Sequence, residues 1–251
     1  MSPLPFTLLY RDAWLVVINK PAGWLVHPTP IDRHETRVVL HALRDQIGQT
    51  VFPLHRLDKA TSGVLAFALD ATTARELGAC FEQGMGLRKR YRAIVRGWPA
   101  DAMRIDHPLA RMDDDRTASR VPILPAQTSL RVLYRGALPV AHGRYPEVRF
   151  ADLELEPHTG RRHQIRRHLK HIAHPVMGDS THGKGPLNRA VAAHLQIARL
   201  WLHAESLELN LPGTDTPLCF EAPTAPEWQA WHEAARGFTG AQPTDSPNAQ
   251  T

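Results

Sequence analysis

The chain has 251 residues, 43% of them hydrophobic and 22% charged: enough apolar surface for a sizeable core, and too little charge for wholesale disorder. Lys and Arg number 30 against 25 Asp and Glu, a net charge of +5 that does not by itself select a polyanionic partner. The two cysteines, Cys80 and Cys219, exclude a disulfide framework and a CxxC metal site. The longest clean apolar stretch, residues 64–69, is far too short for a membrane span. No basic leader precedes an apolar block near Met1, so a secretory signal is not expected. The expectation is a soluble cytoplasmic protein of one large domain or two small ones.

Residues 8–10 and 14–18 read as strands around a turn at Arg11-Asp12. Lys20-Pro21-Ala22-Gly23 is a turn signal, after which residues 24–27 are expected to resume as a strand. Val39, Leu43 and Ile47 recur every four residues, predicting a helix over 36–47 with Gly48 as its stop. Residues 63–69 read as a buried strand, and 72–83 as a helix ended by Gly84. Residues 88–95 alternate: Lys89, Tyr91, Ala93 and Val95 share one face, and Arg88, Arg90, Arg92 and Ile94 the other. Residues 98–149 are loop-rich, with one clear strand at 130–134. Along 150–156, Leu153 and Leu155 stand opposite Asp152, Glu154 and Glu156. A turn at 157–160 leads into a predicted helix over 161–172, whose stripe of Ile165, Leu169 and Ile172 leaves most basic residues outside it. A helix over 188–199 and an alternating strand over 206–211 follow, and the polar tail after Gly237 is expected to be disordered. No βαβ period or internal repeat is present. The pattern predicts an α+β fold, a mostly antiparallel mixed central sheet flanked by helices and loops.

Charge is clustered. Between Arg88 and Arg96 lie five basic side chains, and between Arg161 and His171 five Lys or Arg and three His, with no acid among them. Each cluster alone could be a solvated face; two in one chain favour a phosphate backbone as partner.

The densest chemical candidate is His55-Arg56-Leu57-Asp58-Lys59-Ala60-Thr61-Ser62-Gly63. Flanked by Arg56 and Lys59, Asp58 is expected to stay ionised. It could then serve as nucleophile, general base or metal ligand, against the plainer reading of a turn cap. His55, Asp58 and Ser62 make a poor hydrolase triad, because they crowd one short segment and no GxSxG elbow presents the serine. A zinc site of His163, His168, His171 and His174 is opposed by crowding arginines and the lack of HExxH or a nearby cysteine. Arg and His after a glycine turn suit phosphate contacts better. His203, in Leu202-His203-Ala204, reads as a core histidine. No GxGxxG or Walker pattern is present, so no nucleotide cofactor is indicated.

These segments together resemble the RluA-type pseudouridine synthases. His55-Arg56-Leu57-Asp58 with Thr61-Ser62-Gly63 is similar to that family's signature, and Asn19-Lys20-Pro21-Ala22-Gly23 with Val26-His27 to its N-terminal motif. Lys89-Arg90-Tyr91 with Val95 and Gly97 resembles its tyrosine motif. Thr159-Gly160-Arg161 through His163-Gln164-Ile165-Arg166 and His168-Leu169, then His174-Pro175 and Gly178-Asp179, resembles its third. The match runs in the family's order from about Leu9 to Leu211. Within the family the likeness is greatest to a branch acting on tRNA, at uridine 65 of the T-arm stem. That rests on the stretches 44–49, 94–98 and 178–180 with His182-Gly183, and on a chain expected to start directly at the catalytic domain, without an S4-type domain. Arg162 and Arg167 depart from the broader family, which has a small or polar residue and an aliphatic one there. The departure points away from ribosomal RNA.

The resemblance implies one catalytic domain over residues 1–236 with the tail 237–251 beyond it, a monomer, and tRNA as partner. The reaction breaks the N1–C1′ bond of uridine and rejoins the base through C5, so it needs neither metal nor cofactor. One carboxylate suffices, where glycosidases use two. Asp58 would be that carboxylate, attacking C1′ or removing a ribose proton; Tyr91 would stack on the base and later take the C5 proton; Arg166 would hold Asp58 ionised. Ile165 would pack beside the base, Arg56 would fill the gap left by the flipped nucleotide, and Arg88, Arg162, Arg167 and Trp98 would touch RNA. The alternatives are a ribosomal RNA synthase of the same family and a catalytically inert RNA-binding protein on this fold.

Overall fold

The computed structural model describes residues 5–28, 34–84, 86–112, 121–210, 216–235 and 242–243. Packing divides the chain into two units, residues 1–91 with 202–224, and residues 92–201 with 225–251.

In the first unit, β1 (Thr7–Arg11) and β2 (Leu15–Lys20) pair antiparallel around Asp12, whose carboxylate accepts the N–H groups of Trp14 and Leu15. Residues 24–27 do not form the expected strand; Leu25 makes a single bridge to Val38. The reason lies in Lys20, whose ammonium takes the carbonyl of Trp24 along with those of Pro21 and Lys59 and so folds the segment into a turn. Helix α1 (Val39–Ile47) buries Val39 and Leu43 and stops at Gly48, left-handed at φ 70°. It begins three residues later than the spacing predicts, since Val38 is extended and bridged to Leu25.

After the short β3 (Phe52–Pro53), the predicted apolar run becomes β4 (Ser62–Ala68), every residue of which is buried. It pairs antiparallel with β2. Helix α2 (Ala71–Gln83) is capped by Asp70, whose carboxylate accepts the Thr72 and Thr73 N–H groups, and it ends at the left-handed Gly84 as predicted. The division between the units falls inside β5 (Leu87–Arg96), after Tyr91.

The second unit departs further from expectation. In place of one strand among loops it holds β6 (Ala102–Asp106), β7 (Leu109–Ala110), β8 (Ile123–Leu124) and the twelve-residue β9 (Gln127–Leu138), which pairs antiparallel with β10 (Val148–Pro157). The register shifts between Asp152 and Leu153, opposite Tyr134 and Val132, a bulge that changes the phase of alternation midway. Leu153 and Leu155 are buried as predicted. Asp152, expected outward with the glutamates, is 0% exposed. It accepts a bidentate pair from Arg92 at 2.8–3.2 Å and a contact from His232 at 3.1 Å, partners distant in sequence.

Helix α3 (Gln164–His171) starts three residues late, because the Gln164 side chain is used as an anchor. Its Oε1 accepts the Arg161 N–H and Thr159 hydroxyl, and its Nε2 donates to the Gln127 carbonyl and the Thr128 hydroxyl. Arg166 and His168, expected outside the apolar stripe, are buried with Ile165 and Leu169. Helix α4 (Gly185–Leu195) buries Leu187 and Val191.

Strand β11 (Leu202–Leu209) returns to the first unit and lies parallel to β4, with Ala204 opposite Gly63. A Cβ on Gly63 would fall 2.1 Å from the Ala204 carbonyl oxygen, and its φ of 116° is left-handed, so only glycine permits this approach. Strand β12 (Leu218–Glu221) pairs with β11. In the second unit, a 3-10 turn at Pro226–Trp228 and helix α5 (Gln229–Ala235) bring Trp228 and Trp231 edge-on to Trp201, with ring centroids 5.5 and 5.4 Å away. Two residues of the tail, β13 (Gln242–Pro243), pair with Arg135 and Tyr134 on β9. The rest of the expected disordered tail lies outside the described residues.

Candidate active site

The Asp58 loop enters β4 in the first unit and is pinned from several sides. The Thr61 N–H donates to the Asp58 carbonyl at 3.0 Å, closing a turn with Asp58 at its head. The Lys59 carbonyl accepts the Gly23 N–H at 2.8 Å and the Lys20 ammonium at 3.1 Å. Lys20 is wholly buried, which an ammonium tolerates here because three carbonyls meet it. The sequence shows this lysine only as part of a motif; in the structure it ties the N-terminal turn to the Asp58 loop. On the outer side the Lys59 ammonium pairs with Glu35 at 2.8 Å. Hydrogen bonds from Lys59 and the Arg37 N–H hold the Glu35 carboxyl at about 2.

Downstream of Asp58, the Ser62 hydroxyl meets His203 Nδ1 at 2.8 Å, and His203 Nε2 faces the Ala222 carbonyl at 3.0 Å. A carbonyl only accepts, so the imidazole proton sits on Nε2 and Nδ1 accepts from the serine. Ser62 is thus committed to a buried bond with a core histidine, in agreement with the rejection of a triad. His55 accepts the Ala66 N–H on Nε2 at 3.1 Å and stacks on Phe81. Burial, helped by the charge of Lys89, pushes its imidazole down to about 3.

The His55 shift has a consequence for acid stability. Unfolded, the imidazole binds a proton below about 6.5; folded, it does so only near 3. Between those values the unfolded chain carries more protons, so stability falls as pH drops, by up to about 1.4 kcal/mol per pH unit for one group. Urea midpoints at pH 7 and pH 4.5 should therefore drop more for the wild type than for His55→Gln. Equal drops would remove His55 as the cause.

Asp58 and Tyr91 come together in this unit. Burial first, and then the Asp58 charge, push the Tyr91 phenol above its usual value of 10. The Tyr91 ring packs against the core of Val16, Ile18, Leu65 and Phe67. Arg56 is exposed, and its charge adds to burial in lowering His27. Arg88 is exposed on β5.

The other predicted residues belong to the second unit. Arg166 donates through Nε and Nη2 to Asp179 at 2.7 and 2.9 Å, and Ile165 is buried beside it on α3. Arg161 and Arg167 donate to the carbonyls of Pro125 and Ala110, and Arg162 Nη1 stands 3.5 Å from that of Met112. These carbonyl contacts steady the side chains. Trp98 is half-exposed, with Nε1 bonded to the Gly136 carbonyl and Arg149 over its ring at 4.5 Å. The four histidines considered for zinc each meet other groups: His163 meets His182, His168 meets Thr128 and the His107 carbonyl, His171 stacks on His107, and His174 meets the Arg96 carbonyl. Among the described residues no group of three or more His, Cys, Asp or Glu is placed to hold a metal, and no helix is long and apolar enough to cross a membrane.

Residues 14–171 match the family model described as RNA pseudouridylate synthase, and the chain belongs to that family. It is thus an isomerase that acts on RNA, on the α+β fold that the sequence predicts. The tRNA pseudouridine synthase C of Salmonella typhi is 49% identical over 226 residues, covering 88% of this chain and 86% of its own. The protein of the same name from Vibrio cholerae serotype O1 is 44% identical over 227 residues, covering 88% and 92%. Among solved structures, Human RNA Pseudouridylate Synthase Domain Containing 4 superposes with a TM-score of 0.68 at 26% identity, over 96% of this chain and 94% of that one.

Proposed function

We propose that this protein converts a uridine of tRNA, the one at position 65 in the T-arm stem, to pseudouridine, working in the cytoplasm as a monomer without metal or cofactor. The observation that carries the tRNA reading is the 44–49% identity, over most of the chain, to two bacterial proteins named tRNA pseudouridine synthase C.

The residues divide the work. Asp58 opens the reaction at the ribose, and Arg166 keeps its carboxylate ionised. When N1–C1′ has broken and C5–C1′ has formed, the C5 proton must leave and N1 must gain one. Tyr91, its phenol raised by burial and by Asp58, is neutral at physiological pH. A neutral phenol takes a proton only by handing its own to a neighbouring base; the Asp58 carboxylate is that neighbour, and the proton it receives passes on to N1, which restores the carboxylate. Arg56 fills the space left by the flipped nucleotide, Ile165 packs beside the base, and Arg88, Arg162, Arg167 and Trp98 meet the RNA.

The test of function is a map of pseudouridine in total RNA from cells with and without the gene. Loss confined to position 65 of tRNA is expected; loss at a ribosomal site, or no loss, overturns the reading.

The arginine helix makes a separate prediction. Replacing Arg162 and Arg167 together with Ala should weaken tRNA binding and flatten the log–log salt slope by roughly one unit per lost phosphate contact, about two in all. The uridine modified should not change. An unchanged slope in a filter-binding titration would make this face merely solvated.

A further inference from the structure

Arg166 is assigned above to Asp58, and the second unit shows what holds Arg166 itself. Its Nε and Nη2 reach Asp179 Oδ2 and Oδ1 at 2.7 and 2.9 Å, a bidentate fork with both partners buried. Asp179 is in turn immobilised. Its Oδ1 also accepts the N–H groups of Thr181 at 2.9 Å and His182 at 2.8 Å, and its carbonyl accepts the Asn188 amide at 3.0 Å. Asn188 Oδ1 accepts the Gly178 N–H at 3.1 Å. Gly178 is left-handed at φ 75°, and a Cβ there would lie 1.8 Å from the Arg199 carbonyl oxygen. The carboxylate therefore stands at a point set by α4 and the Gly178 turn, independently of Arg166.

An arginine has several rotatable bonds before its guanidinium, and on a helix bound to RNA its natural alternative is a phosphate. Arg161 and Arg167 meet main-chain carbonyls and keep their charge for that purpose. Arg166 meets a carboxylate. We propose that Asp179 is a positioning residue of the reaction: by gripping the Nε/Nη2 edge of Arg166 it fixes the guanidinium for Asp58 and withholds it from RNA phosphates. The role rests on the reading of Arg166 given above. Burial works against ionising Asp179, but the Arg166 hydrogen bonds and the His182 N–H outweigh it and hold the carboxyl below its usual range.

Asp179→Asn keeps an acceptor for Thr181 and His182 and removes the charge. With tRNA as substrate, kcat should fall about 100-fold, the scale on which a slightly misplaced catalytic group costs rate. The Kd for tRNA should not rise and its salt slope should not flatten, since a released guanidinium can only add a phosphate contact. In an Arg166→Lys background the same change should add little, because the two residues act as one unit. Asp179→Glu keeps the charge but displaces the fork, and carries the test if the Asn variant does not fold: kcat should again fall with Kd unchanged. A retained kcat, a loss of affinity in step with rate, or a full further loss in the Arg166→Lys background overturns the role. Wild-type turnover on tRNA separates this failure from that of the functional reading. If it is absent, both fall; if it is present and the variant keeps its kcat, only the role of Asp179 falls.

Discussion

Asp58→Asn should abolish pseudouridine formation, by about 10,000-fold or more, while tRNA still binds. The scale is that of removing one charged member of a catalytic set. The substitution is local because the turn around Asp58 is held by main-chain bonds, from Thr61 to the Asp58 carbonyl and from Gly23 and Lys20 to the Lys59 carbonyl, which an amide side chain leaves untouched. Shape and the main-chain bonds stay; the anion goes. Tritium release from 5-tritiated uridine in tRNA, set beside a binding titration, measures both halves. Appreciable turnover by the variant would take Asp58 out of the mechanism, and lost binding would make it a structural residue.

Tyr91→Phe should have nearly as large an effect on product and almost none on folding. The ring belongs to the core that packs on Val16, Ile18, Leu65 and Phe67, and phenylalanine keeps that contact. Loss of one hydroxyl costs about 1 kcal/mol of stability. The C5 proton then has no acceptor, so the variant should bind tRNA, melt close to the wild type and form almost no pseudouridine. A stable variant with near-normal yield would return Tyr91 to the core and leave the final proton without an acceptor.

Elements whose signal is local are legible in the sequence. The apolar run that becomes β4 and the helices closed by Gly48 and Gly84 follow from short-range pattern and backbone freedom. The failures share a different physics. Residues 24–27 have a strand's composition, but a buried ammonium outbid the ladder for the Trp24 carbonyl. In β9 the bulge opposite Asp152 and Leu153 changes the face mid-strand, so only part of its twelve residues shows alternation. Asp152 and Arg166 look solvent-facing by periodicity, and are buried because each finds an opposite charge far along the chain, Arg92 for one and Asp179 for the other. For the site, Asp58, Tyr91 and Arg166 are named through the family resemblance of their motifs. The supports behind them, Lys20 and Asp179, were visible as motif letters but not as contacts, since spacing alone cannot show which carbonyl or guanidinium a side chain will meet.

The parallel pairing of β4 with β11 also bears on how the chain is made. A ribosome releases the first 91 residues well before residues 202–224, yet the first unit needs both. At about 5–20 residues per second, the interval is roughly 6–20 seconds. For that time β4, apolar on both faces, has β2 along one side but on the other only β3, at Phe67 and Ala68, and no β11 at Ser62 and Gly63. Such an open edge is an adhesive surface for other nascent chains. The nascent protein is therefore a natural client for chaperones that shield hydrophobic segments, and a fragment ending near Trp201 should precipitate rather than fold.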